Sequence, residues 1–281
     1  MKNKIAFITL GLLSLSLAGC GTRMSVYPNA DKYLVGNQTY EQNVETLSID
    51  WLSGSVTLIE DETIEGVKIE EETNLTNEKE LVHSYMSEGK LSIKYFASGH
   101  RCSKMFGVKK DLTITYKPGL KEINVDLTSG SFKANTITSQ LVVFDLTSGF
   151  IDIGTITSHN VKLDATSGSM KVDTIVSEKV KTSMTSGSCT INHMTSQEYV
   201  GGATSGTYNI GFTAIEYATF DITSGNINMT IPEAGARVKV TKTSGTVATE
   251  RECTIENNIY RFGDAIADIK VTMTSGKVVI K

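Results

Sequence analysis

The chain has 281 residues, 40% of them hydrophobic, 21% charged and 7% aromatic, with a formal net charge of −4. Mean hydropathy near zero argues against both a multi-span membrane protein and a disordered chain. The acidic balance, with no basic block, excludes an electrostatic footprint for nucleic acid. The length suffices for one large domain or two small ones, and three prolines beside abundant Thr, Ser, Gly and Val favour strands and turns over helices.

The first twenty residues read as an address. Lys2 and Lys4 precede an uncharged apolar run over 5–17, too short to cross a hydrocarbon core of about 30 Å as a helix but suited to a secretory signal. The run ends in Leu17-Ala18-Gly19-Cys20, which resembles a bacterial lipobox. That resemblance implies a signal peptide over 1–19 and a diacylglycerol on the Cys20 sulfur, each buried methylene of which contributes roughly 0.8 kcal/mol to membrane anchoring. The expected location is the extracytoplasmic face of the cell membrane. Residues 20–43 are then the lipidated cysteine and a polar tether, and no later segment is apolar enough to span a bilayer.

From residue 44 the chain reads as one domain to 281. Leu47, Ile49 and Trp51 precede Ser53-Gly54, and Val56 and Leu58 follow it. Val67/Ile69, Leu91/Ile93 and Leu112/Ile114/Tyr116 look like further strands, interrupted by charged loops such as Glu70-Glu71-Glu72. Then Thr-Ser-Gly recurs with its glycine at 130, 149, 168, 187, 206, 225, 245 and 276, the first five intervals being 19 residues each. Two residues after the glycine stand Phe132, Ile151, Met170, Cys189, Tyr208, Ile227, Val247 and Val278, all apolar or aromatic. The residues between are mostly polar, such as Lys133, Asp152 and Lys171. Alternation at period two on both sides of a glycine means strand, corner, strand, and excludes the helical repeats.

A coil of this kind buries about five side chains at about 1.5–3 kcal/mol each, less in sum than the roughly 1–2 kcal/mol per residue needed to order its backbone. One coil cannot stand alone, but stacked coils share ladder bonds and burial. The expectation is an all-β, single-domain, right-handed parallel β-helix of about 19 residues per coil. Residues 44–281 would make about twelve coils and a rod on the order of 55 Å. Stacked Thr128, Thr147 and Thr166, with the serines after them, are expected to bond up the corner column through their hydroxyls. The insertion over 256–264 would cover one end of the rod.

On the eight Thr-Ser-Gly copies, the Leu-Ser-Gly at 52–54 and the late Tyr260-Arg261-Phe262-Gly263 turn, the domain resembles the bacterial adhesin-like β-strand-repeat family. The resemblance covers 44–281 and implies a β-helix outside the membrane. It brings no catalytic residues, and the charged early loops depart from a plain member.

The residues offer little chemistry. His83, His100, His159 and His193 are scattered, without zinc-ligand spacing; the last two fall in or near polar corners, where a solvated ring is expected. Beyond Cys20 there are Cys102, Cys189 and Cys253, without a CxxC pair. Cys189 sits on an inward offset and reads as a buried thiol, whereas a Cys102–Cys253 disulfide is open to an oxidising exterior. Asp126, Asp145 and Asp164 share one outward offset in successive coils; such a column repels itself unless hydrated, neutralised by neighbours such as Lys162, or bridged by a cation. No cofactor is implied. Three functions fit: a non-catalytic surface adhesin binding a glycan or envelope protein, a structural or stress-sensing lipoprotein acting through a membrane partner, and a polysaccharide lyase or hydrolase on a β-helix. The short corners between Gly130 and Gly245 argue against the walled groove of the third.

Overall fold

The computed structural model describes residues 25–101 and 107–281; Cys20 and Cys102 lie outside them. Apart from two one-turn 3-10 segments, Ala30–Lys32 and Glu78–Glu80, the regular structure is all β. In chain order the strands are β1 (Leu34–Val35), β2 (Gln38–Tyr40), β3 (Thr46–Trp51), β4 (Ser55–Glu60), β5 (Val67–Thr73), β6 (His83–Ser87), β7 (Lys90–Lys94), β8 (Lys110–Tyr116) and β9 (Leu120–Leu127). Then come β10 (Ser131–Leu146), β11 (Phe150–Ala165), β12 (Ser169–Met184), β13 (Ser188–Thr230), β14 (Ala236–Lys242), β15 (Thr246–Thr249), β16 (Thr254–Glu256), β17 (Ile259–Arg261) and β18 (Ala267–Ile280).

The repeat becomes a β-solenoid because equivalent residues of successive units pair side by side. β10 pairs parallel with β11, with Phe132 beside Ile151. β11 pairs in the same way with β12, with Ile151 beside Met170, and β12 with β13, with Met170 beside Cys189. These four side chains form one inner file, fully buried. The corner glycines stack so closely that a side chain on Gly149 would meet the Gly130 carbonyl oxygen at 2.2 Å, and Gly149 has φ +131°. Both facts demand glycine.

Stacking order departs from chain order at both ends. β3 pairs with β9 on one side and β7 on the other, and β4 lies between β10 and β8. The corner of Gly54 therefore sits directly against that of Gly130, and the segment between them runs outward and returns. β7 and β8 are two halves of one outer rung, not separate coils, and β5 is no rung: it lies antiparallel along β8. At the other end β18, last in the chain, slots between β13 and the rung of β14 and β15. Among the described residues the solenoid thus has ten rungs, about 45 Å at one strand spacing each, which corrects the twelve expected from counting periods along the chain.

Antiparallel strands close the ends, where open edges would invite aggregation. β6 lies on β7 and β1 on β6, while β2 lies on β5. β17 lies on β14, with β16 beyond it, so the segment over 256–264 does cover an end. The expected tether is corrected too. From residue 25 onward it is part of the folded body: Tyr27 and Tyr40 are buried, the Tyr27 hydroxyl donates to the Phe96 carbonyl at 2.9 Å, and the Tyr40 hydroxyl bonds Ser84 Oγ at 2.8 Å. Edge strands need covering, and tyrosines supply apolar area with a polar tip.

Under this N-terminal cap lies a buried charge. Lys110 is fully enclosed and ion-paired with the equally buried Glu71. Its Nζ donates to the Glu80 carbonyl at 2.6 Å and stands 4.7–5.3 Å from the ring centres of Tyr95, Phe96 and Trp51.

Candidate functional site

Beyond the Thr-Ser-Gly corner each coil interrupts its ladder again at Asn135 and at Gln140 and their equivalents, and the polar corner at Gln140, here the second corner, builds the site. Ser139, Ser158, Ser177 and Ser196 turn inward there and are nearly buried. Each hydroxyl donates to a carbonyl of the preceding rung, of Leu120, Gln140, His159 and Glu178 respectively, each at 3.0 Å. Each also leans on a carbonyl two residues ahead in its own coil, at 2.9–3.2 Å. This is the hydroxyl ladder expected at the first corner. The first corner stacks mainly through its backbone, as in Ser148 N–H to Thr128 O at 2.8 Å and Phe150 N–H to Gly130 O at 2.9 Å, with longer hydroxyl bonds at Ser186, Ser244 and Ser275, at 3.2–3.4 Å.

Because the serines are drawn in, the residues beside them form two walls. Thr138, Thr157, Val176 and Thr195 make one, and Gln140, His159, Glu178, Gln197 and Glu216 the other. Between them runs a groove of about 1040 Å³. It begins at Gly119–Leu120 and ends at Pro232, Glu233, Ala234 and Ile266. That crosses eight rungs, about 34 Å. Nineteen residues beyond Ser196, Ile215 takes the serine's place, so the far half of the floor is apolar, with Ile266 exposed beside it. Glu60 fixes the near end, accepting from the Thr138 backbone N–H and from the Tyr116 hydroxyl at 2.6 Å. Burial, followed by that bond to Glu60, pushes the Tyr116 phenol far above its usual range. The lining is hydroxyl, amide, carboxylate, aliphatic and, at His159, imidazole, with no Lys, Arg, Trp, Tyr or Phe among the described residues that form it.

The acidic residues singled out from the sequence lie elsewhere. Asp126, Asp145 and Asp164 do pair side by side on the strand before the first corner, and the column extends to Asp50, which the offset from Gly54 could have revealed. Lysines neutralise it. Lys94 Nζ is 3.1 Å from Asp50 and Lys162 Nζ 2.7 Å from Asp164, and the bond to Asp164 followed by its charge raises the Lys162 pKa. Among the described residues no cluster of three or more His, Cys, Asp or Glu could hold a metal ion. Cys189 is buried, its thiol pushed up to about 12 by desolvation; Cys253 is a half-buried free thiol. His159 alone of the histidines lines the groove. Sequence reading recognised the second corner as polar but not as a groove. Its signal was the serine recurring every nineteen residues from 139 to 196.

No curated protein matches this chain. Among solved structures, the chain is similar to a "putative adhesin" from Parabacteroides merdae at 13% identity and a TM-score of 0.58, covering 89% of this chain and 97% of that one. It is also similar to a "putative lipid binding protein" from Parabacteroides distasonis at 12% identity and a TM-score of 0.52, with the same coverage. At such identities the likeness is one of fold. With ten stacked rungs, serial Ser-Gly corners and a family match over residues 44–281, the chain belongs to the Toastrack DUF4097 family.

Proposed function

We propose that this protein is a non-catalytic surface-binding module, held at the extracytoplasmic face of a bacterial membrane by an acylated Cys20, that takes an extended ligand along the second-corner groove. The observation that carries this reading is the groove itself: eight rungs long, open along its length, and lined by hydroxyl, amide, carboxylate, imidazole and aliphatic side chains. We read the solenoid as a right-handed parallel β-helix of nineteen residues per coil, from the register of its rungs and the general hand of parallel crossovers. Two structural neighbours carry names for adhesion and for lipid binding, and a groove of this form serves either use.

The test is a glycan and peptide array probed with the purified full chain. Binding is expected, lost in Val176→Trp, which fills the groove, and retained in Lys171→Ala on the opposite strand face. A signal that survives Val176→Trp would remove the groove from the account. Palmitate labelling in cells tests the anchor: label is expected on the native chain and absent from Cys20→Ala, and equal labelling would refute it.

A further inference from the structure

The charge and composition of the groove go further than its length. Glu178 and Glu216 stand on one wall two rungs apart, about 10 Å, and Glu233 closes the far end, with no lysine or arginine among the lining residues. An anionic ligand, whether acidic glycan, phosphate headgroup or fatty-acid carboxylate, would be repelled by these three carboxylates, with His159 as the single basic side chain among the described lining residues. A neutral sugar chain would find none of the aromatic rings on which sugar faces stack. What the site offers is aliphatic surface at Val176 on one wall, Ile215 on the floor and Ile266 beside it, hydroxyls and amides within reach of an extended backbone, and carboxylates for cations.

We infer that the groove binds an extended, basic peptide segment with alternating apolar residues. This rests on the binding-module reading and narrows it. A length of about 34 Å accommodates roughly ten residues of extended chain at about 3.3 Å each. Alternate apolar side chains then face the floor while lysines or arginines reach Glu178 and Glu216. The net charge of −4 steers the same partner toward the molecule.

The probe is a fluorescein-labelled peptide of alternating Lys and Leu, about ten residues long, titrated by anisotropy against the purified full chain in a neutral detergent, with empty micelles as blank. Saturable binding is expected. It should weaken roughly tenfold or more in Glu178→Gln/Glu216→Gln, whose exposed sites leave folding intact by circular dichroism, and should weaken as salt is raised. An alternating Glu–Leu peptide should not bind. Equal binding by the native chain and the double variant overturns the inference, as does preference for the Glu–Leu peptide. If the Lys–Leu peptide fails while a glycan or lipid binds in a manner blocked by Val176→Trp, this inference falls and the binding-module reading stands. If nothing binds, both fall.

Discussion

The middle rungs and the N-terminal cap solve different problems with the same strands. Between Phe132 and Ala203 each residue's neighbours are its own equivalents nineteen positions away. One apolar choice per position, repeated, then fills the core. The cap must end that ladder, so its contacts do not repeat. β5 and β6 run antiparallel to the rungs they cover, and the side chains of Lys110, beside the corner Gly54, and of Glu71, on the covering strand β5, are buried together. Repetition makes stability additive and local, whereas termination concentrates it in a few long-range polar contacts.

The largest predicted effect breaks the cap side of this comparison. Lys110→Ala leaves the buried Glu71 carboxylate without its ammonium partner and should cost about 3–5 kcal/mol in urea unfolding. Replacing both partners with apolar residues, Lys110→Met/Glu71→Leu, should cost clearly less than the single variant. A single-variant loss below that of an ordinary surface substitution would show that the ion pair does not hold the cap.

The middle is broken by backbone. Gly149→Ala must place a methyl group 2.2 Å from the Gly130 oxygen at φ +131°, and about 2–3 kcal/mol is expected. Gly36→Ala, also at positive φ but with nothing within 4 Å, isolates conformational strain at about 1–2 kcal/mol. The difference between the two measures rung-to-rung contact. If they match, close stacking is not what selects glycine at the corners.

The same contrast explains what could be read in advance. The inner file from Phe132 to Cys189 was legible because side-chain alternation and a fixed period place each residue without knowledge of any distant partner. The stacking order at the ends was not. Nothing local tells β18 to slot between β13 and β14, or makes Gly54 the neighbour of Gly130 across an excursion of four further strands and a 3-10 turn. Tyr27 and Tyr40 looked like parts of a polar tether because their burial depends on distant partners, Phe96 and Ser98 for Tyr27, Ser84 and the edge of β5 for Tyr40. The groove was half legible. The serines at 139, 158, 177 and 196 announced a corner, but concavity comes from where their hydroxyls reach, to carbonyls one rung away.

That point can be sharpened within the middle rungs. Ser158→Ala removes a buried hydroxyl that leans on two carbonyls and should cost about 1 kcal/mol. Ser148→Ala, at the exposed first corner where the backbone does the stacking, should change stability by less than about 0.5 kcal/mol. Equal losses would mean that both corners rely on side-chain ladders after all.

The gentlest probe is pH, and it returns to the cap. His83 is buried, and desolvation depresses its pKa, aided by the nearby Lys110 charge, although Nδ1 bonds the Leu81 carbonyl at 2.9 Å. A depressed folded-state pKa means that the unfolded chain takes up the proton first. Below the ordinary histidine value of about 6.5 the unfolded state therefore binds more protons than the native one, and stability falls as pH falls, until the native imidazole itself titrates. The middle rungs hold no buried histidine, so this slope belongs to the cap. Urea midpoints taken from about pH 7.5 down to about pH 5.5 should decline more steeply in the native chain than in His83→Gln. Parallel curves would show that the imidazole titrates freely, and that the cap around Lys110 and Glu71 opens to water more readily than its packing requires.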